Sequence, residues 1–400
     1  MKGSVRKLTL PSGTVVWRLQ VDAGRDEHGK RIRINKSFSK KGEAEDSLTR
    51  LLQERAEGSL VKPSPQTFGE FLAEWLREYA QRNVSPKTAE RYGQLAQYAI
   101  DGLGSVALQE LSTLTLERFY SQLRDGKGKS GKPLAPRTVR HVHDTLRGAL
   151  NTALRWRLLK VNPAIPCRLP RIERQEARIV EDAQLGALID AARNHAWAYA
   201  MLVLDSATGL RRGELCGLRW PDADLDGAAL TVARSLEQTK AGLRIKPPKN
   251  GKTRRLTLPA AAVDVLREHK QAQQRNRRLF GKDYSTDLDL IFCSPNGDYL
   301  KPNTVSPAIA ELAARVGLKG IGLHSLRHTH GSQLLAAGVP LPTVSKRLGH
   351  SSVAVTAAIY AHAFAADEIA AADAWEARLG DSIRKASKPR LQVVARGKTG

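Results

Sequence analysis

Apolar and polar positions alternate at two places near the start of the chain. Trp17, Leu19 and Val21 are interleaved with Arg18 and Gln20, and Ile32, Ile34 and Phe38 with Arg31, Arg33 and Asn35. A period of two predicts strands with one packed face and one face carrying cations. A helix is expected from Lys41 to Glu57, which makes residues 1–62 a small β-sheet-plus-helix module. Arg18, Arg31 and Arg33 fall on the polar face of that sheet, where they either meet solvent or contact a polyanion.

From Thr67 the period lengthens to that of a helix. Thr67 and Glu70 form a capping-box pattern ahead of an apolar stripe of Phe68, Phe71, Leu72, Trp75 and Tyr79. Ser85-Pro86 places a capping serine before a first-turn proline and starts a second helix. A third is expected near Thr115–Leu123. A fourth follows Pro136 and buries Val142, Leu146, Leu150 and Ala153, with Arg137, Arg140 and Arg147 off that face. Residues 63–167 therefore read as an all-helical domain with a basic stripe. The polar, basic, proline-broken stretch 168–178 reads as a linker.

Beyond it the pattern is mixed. Helices are expected over Glu181–Ala192, over Trp197–Leu204 and after Pro302. Strands are expected near Ala229–Ala233, Arg244–Lys246, Arg255–Leu258 and Leu290–Phe292. The reading is a multidomain α+β chain, with a mainly helical domain carrying a small antiparallel sheet over 179–385 and a basic tail over 386–400.

Charge changes the picture. Lys and Arg number 64 against 40 Asp and Glu, a formal net charge of +24. That excess suits a polyanionic partner, nucleic acid ahead of a membrane surface. No apolar run reaches the length of a bilayer span, and Met1–Leu10 has no signal-peptide pattern. Cys167, Cys216 and Cys293 fit neither a disulfide framework nor a zinc spacing, so a reducing cytoplasm is expected.

Five segments of the C-terminal half carry candidate chemistry. In Thr208-Gly209-Leu210-Arg211-Arg212-Gly213-Glu214-Leu215, a helical reading puts Arg211 in line with Leu215 and Leu218, facing inward, with Glu214 placed to hold it. Lys249 precedes Asn250-Gly251, a hairpin signal between strand patterns, and is expected at the mouth of that hairpin, where a long cation can swing over a groove. His324 and Arg327 share a helix face, an arrangement suited to a phosphate. His324 and His328 also have the spacing of a metal pair, but no acidic or Cys partner at ligand spacing supports a metal. Leu348-Gly349-His350-Ser351-Ser352 reads as a helix stop and a fresh cap, followed by a helix bearing Tyr360. Taken alone, each has an ordinary structural reading: an Arg–Glu pair, a surface lysine, a core tyrosine.

Together, in the order Arg211, Lys249, His324-x-x-Arg327, Leu348-Gly349-His350 and Tyr360, they resemble the active-site signature of the tyrosine recombinases, the phage integrase family. The helical region resembles that family's core-site-binding domain, and the N-terminal module its arm-site-binding module. The resemblance implies a site-specific integrase that cleaves and rejoins DNA through a 3′-phosphotyrosyl intermediate. Tyr360 would be the nucleophile, Arg211, Lys249, His324, Arg327 and His350 would complete the catalytic set, and Glu214 would orient Arg211. It implies no metal, no cofactor and no ATP. The implied partners are double-stranded DNA at core and arm attachment sites, further copies in a tetramer, and an accessory DNA-bending or directionality protein. The implied location is the bacterial cytoplasm, at the nucleoid. A type IB topoisomerase and a non-catalytic DNA-binding regulator are the alternatives.

Overall fold

The computed structural model describes residues 3–25, 29–126, 131–172, 178–360 and 367–386. Residues 387–400 of the expected tail and 173–177 of the expected linker lie outside the described residues. The chain divides into two compact units, Met1–Arg174 and Gln175–Gly400.

The first unit opens with three antiparallel strands, β1 (Ser4–Thr9), β2 (Val15–Arg25) and β3 (Arg31–Phe38), in the order β1-β2-β3. Leu19, Val21 and Ile34 are buried against helix α1 (Lys41–Ala56) through Leu51. The register pairs Val21 with Ile34 and Arg18 with Ser37. Arg18 and Arg33 therefore project from the opposite face and, like Arg31 beyond the bulge at Asp22–Gly24, are exposed.

Helix α2 (Phe68–Trp75) starts at the expected capping box: the Thr67 side chain accepts from the Glu70 amide, and the Glu70 carboxylate accepts from the Thr67 amide. Ser85 caps α3 (Pro86–Leu103), Ser112 caps α4 (Thr113–Arg124), and α5 (Pro136–Arg155) begins on its proline. Their core gathers Phe68, Phe71, Trp75, Leu116, Phe119, Val142, Leu146 and Leu150. Arg137, Arg140 and Arg147 are exposed on α5. An ion pair from Lys160 to Glu54, and Gln109 donating to the Lys62 carbonyl, tie this helical part to the module before it.

The second unit runs α6 (Asp182–Ala191), α7 (Ala196–Thr208) and the short α8 (Arg212–Cys216) into two small sheets. One is antiparallel β4 (Ala223–Asp224), β5 (Ala229–Val232) and β8 (Arg254–Thr257). The other is the hairpin β6 (Ser235–Thr239) and β7 (Gly242–Lys246). Then come α9 (Ala260–Phe280), α10 (Pro302–Arg315), α11 (Leu323–Ala336), α12 (Leu341–Leu348), α13 (Val353–Tyr360) and α14 (Asp367–Ala386). Leu204, Leu215, Leu230, Leu256, Phe292, Ile309 and Leu326 lie in one core. The expected strand at Leu290–Phe292 is reduced to isolated bridges, Arg219 with Leu290 and Cys293 with Tyr299.

Candidate active site

Two helices end in the same way beside each other. Gly209 closes α7 with φ 62°, and Gly349 closes α12 with φ 66°. These left-handed positions suit glycine. Space demands it too: a Cβ at Gly209 would stand 2.7 Å from Leu348, and one at Gly349 would stand 2.8 Å from Arg254. Helix C-terminal carbonyls carry partial negative charge and want donors. Arg327, on α11, supplies two, from Nη1 to the Gly209 carbonyl at 2.6 Å and from Nη2 to the Leu348 carbonyl at 2.7 Å. Arg211 donates from Nη2 to the next carbonyl, Gly349, at 2.7 Å.

Arg211 is not inside a helix, as the expected inward facing required. The helix begins at Arg212, Arg211 is its N-cap, and Leu218 lies beyond the C-cap at Gly217. What aims Arg211 is Glu214, whose carboxylate accepts from the Arg211 amide and from its Nη1, each at 3.0 Å. Arg212 points elsewhere, donating to Ser306 on α10 at 2.9 Å.

Glu214 also holds a residue that sequence reasoning missed. Arg254, at the start of β8, donates Nη1 and Nη2 to the two Glu214 oxygens at 3.2 and 2.8 Å, and Nε to the Arg347 carbonyl at 3.0 Å. Burial alone would raise the Glu214 pKa, but the bonds and charge of Arg254, then of Arg211, outweigh it and hold it low. A fully buried carboxyl nearby behaves oppositely. Burial raises Asp205 well above the usual range, and neither of its oxygens has a hydrogen-bond partner among the described residues. Arg211 and Arg254 share the Glu214 carboxylate, and Arg327 lies within reach of its charge. Burial and then the charge of Arg211 bring the Arg327 pKa down to about 10. A cluster with this excess of positive charge calls for an anion.

His324 lies on the first turn of α11, part of its surface open to solvent, and the partial desolvation of its ring, then Arg327 and Arg211, lower its pKa. Its Nε2 is 3.1 Å from that of His328. His350 follows Gly349, shares a bond of 2.7 Å with the Thr356 hydroxyl, and is pushed down to about 4 by burial, then by Arg327 and Arg211. Tyr360 ends α13, buried with Val344 and Leu348. Among the described residues nothing hydrogen-bonds its hydroxyl. Burial raises its pKa, against the opposing pull of Arg327.

A second missed pair buttresses the α12 terminus. His330 donates from Nδ1 to the Ser206 carbonyl at 2.8 Å, so its Nε2 accepts from Arg347 Nε at 3.1 Å. Arg347 also reaches the Ala207 carbonyl at 2.8 Å. No sequence spacing signals these contacts.

Lys249 is not at the mouth of a hairpin. The hairpin is β6–β7, and Lys249 is exposed on the turn Pro248–Gly251, which leads from β7 to β8 in the other sheet. Among the described residues, no three or more His, Cys, Asp or Glu gather as a metal site. No described helix is long and apolar enough to cross a membrane.

Residues 178–367 match the model of the phage integrase family, and residues 67–124 that of the phage integrase N-terminal SAM-like domain. The chain is 28% identical over 371 residues to a tyrosine recombinase XerC-like protein of Caldanaerobacter subterraneus subsp. tengcongensis, covering 88% of this chain and 93% of that protein. It is 29% identical to an integrase of Streptomyces ambofaciens, over 86% of this chain and 88% of the other. Among solved structures, the Tn1549 transposon integrase in complex with transposon right end DNA matches with TM-score 0.65 at 21% identity, covering 78% of this chain and 99% of that one. A lambda integrase dimer bound to a COC' core site matches with TM-score 0.54 at 19% identity, covering 88% and 94%. These structural likenesses speak for the fold.

Proposed function

Because the chain belongs to the phage integrase family of tyrosine recombinases, we propose that it recombines specific DNA sites to integrate a mobile element, with Tyr360 as nucleophile. The observation that carries this reading is the convergence of Arg211 and Arg327 on consecutive carbonyls, Gly349 and Leu348, one residue from His350.

A phosphate entering there would draw the guanidinium donors from the carbonyls to its non-bridging oxygens. Their charge is worth most when the phosphorane carries most negative charge, which is the condition for speeding the reaction. The Tyr360 oxygen attacks phosphorus, its proton passes to His324, and the 5′-oxygen leaves with a proton from Lys249. His350 donates a hydrogen bond to the phosphate. Lys249 is exposed on the turn Pro248–Gly251, and its side chain is long enough to swing toward a leaving oxygen. The covalent 3′-phosphotyrosine conserves the bond energy, so rejoining reverses the same steps without ATP. Glu214 fixes Arg211, and Arg254 fixes Glu214.

Solved structures similar to this chain include a lambda integrase tetramer bound to a Holliday junction. We take the same assembly, on double-stranded core sites and with arm sites held by the N-terminal module, as the working state here. An accessory DNA-bending or directionality protein, and a place at the bacterial nucleoid, belong to the same proposal.

The test is a nicked core-site duplex that traps the covalent intermediate. Wild-type chain should give an SDS-resistant adduct, also in excess EDTA, and Tyr360→Phe should bind the DNA without forming it. An adduct from the Phe variant removes Tyr360 as nucleophile, and loss in EDTA with return in magnesium revives a metal-dependent reaction.

A further inference from the structure

Helix α11 carries His324, Arg327, His328 and Gly331 along one side, and the two imidazoles do more than share a face. Their Nε2 atoms are 3.1 Å apart, with the rings crossed at 76° and centroids 4.5 Å apart. The His328 ring in turn stands across the Tyr360 ring, at 6.0 Å and 64°. A bond between two imidazole nitrogens exists only when one carries a proton and the other does not. Both rings cannot be cations while it lasts.

We infer that His328 is a positioning residue for the proton transfer from Tyr360, accepting the Nε2 proton of His324 and so leaving the His324 Nδ1 lone pair as the acceptor. The inference rests on the reading of His324 as that acceptor. The steps balance simply. The phenolic O–H breaks as the Tyr360 oxygen attacks, and its proton forms an N–H bond at His324 Nδ1. The resulting imidazolium keeps its Nε2–H bonded to the His328 lone pair, which stabilises the cation. On rejoining, the same proton returns to the phenolic oxygen. The partner matters because the surroundings oppose a cation. Burial, then Arg327 on the same helix and Arg211 at the start of α8, depress His324, and burial and the same arginines depress His350. Glu214 is committed to Arg211 and Arg254, and Tyr360 is the proton source. Within this group His328 is the imidazole at hydrogen-bonding distance from His324.

The experiment is single-turnover cleavage of a nicked duplex, its core site selected from random DNA by binding to this chain, followed from acid to neutral pH. His328→Leu removes the acceptor, and His328→Gln keeps one without titrating. The leucine variant should bind DNA yet cleave at least about 10-fold slower, losing part of the roughly 10²–10⁴ that a positioned proton acceptor such as His324 contributes. Its acid limb should move to lower pH, because His324 loses the bond that favours its charged form. The glutamine variant should recover most of the rate and restore the limb. His328→Ala should respond to added imidazole, a contrast that serves where the leucine variant fails to bind. An unmoved limb, glutamine no better than leucine, or no response to imidazole overturns the inference. His324→Gln separates the two layers. If it abolishes the limb while the His328 variants behave as wild type, the His324 reading stands and this one falls; if it leaves the limb intact, both fall.

Discussion

The phenolic oxygen of Tyr360 lies against the backbone of Gly331, so close that a Cβ there would stand 2.3 Å from it. Gly331 sits in the middle of α11, where alanine would normally add about 1 kcal/mol of helix stability. Here the ring is 1% exposed and packed on Val344 and Leu348, with little room to yield. Overpacking of this kind costs about 1–3 kcal/mol. Gly331→Ala should therefore lower the midpoint of thermal unfolding. A rise would mean that Tyr360 swings clear of α11 without cost.

Arg211 and Arg212 are neighbours with opposite surroundings. Arg211 lies between Glu214 and the Gly349 carbonyl, while Arg212 reaches across to Ser306. Losing a positioned donor to a developing oxyanion costs roughly 2.7–4 kcal/mol in the transition state. Arg211→Ala should nearly abolish cleavage of the nicked duplex, and Arg212→Ala should be far milder. The opposite ranking in single-turnover rates would move the clamp to Arg212.

His330 gives the fold a pH dependence with a defined sign. Burial, then the charge of Arg347, brings its pKa down from 6.5 to about 4. Between those values the unfolded chain binds a proton that the folded chain refuses. The contribution is therefore complete above pH 6.5 and is lost as pH falls toward 4. The slope from one such group approaches roughly 1.4 kcal/mol per pH unit. His350 shifts in the same direction and adds to the loss. His330→Gln can still donate to Ser206 and accept from Arg347 but does not titrate. Urea unfolding at pH 7 and pH 5 should show a smaller drop for this variant than for wild type. Equal drops would show that His330 is already protonated in the fold, or that its pKa is not depressed.

Local signals were legible and long-range ones were not. The Thr67–Glu70 box, the Ser85 cap and the alternation around Leu19 and Ile34 each rest on residues within a turn or a strand of one another, and each appears in the structure. The Arg211 reading failed in geometry although the residue lies at the cluster, because its periodicity was counted through a helix that begins one residue later. The Asn250-Gly251 signal is a real turn, with the Gly251 amide bonded to the Pro248 carbonyl. A turn motif does not state which strands it joins, however, and β7 and β8 pair with β6 and β5 respectively. Arg254 on Glu214, and Arg347 on His330 and Ala207, bring together positions with no common period. Only packing of the whole unit creates such contacts.

The exposed sheet face of the N-terminal module offers the sharpest division between DNA binding and mere scaffolding. Arg18, Arg31 and Arg33 are exposed on the side away from Leu19, Val21 and Ile34, so truncating them leaves that core untouched. Stability should change by no more than about 0.5 kcal/mol. Deleting the module would be a poorer test, because Lys160 and Gln109 would lose their partners Glu54 and Lys62. If the face holds arm DNA, one protomer joins two sites and gains from effective concentration. The triple variant Arg18→Ala/Arg31→Ala/Arg33→Ala should then cleave a short core duplex at the wild-type rate. It should recombine a long attachment site carrying arm sequences poorly. Its binding to that long DNA should also respond less to salt, the slope falling by about 0.9 for each phosphate contact removed. Equal activity on both substrates, with an unchanged salt slope, would assign the face to solvent or to protein contacts and leave the arm sites without a reader in this module.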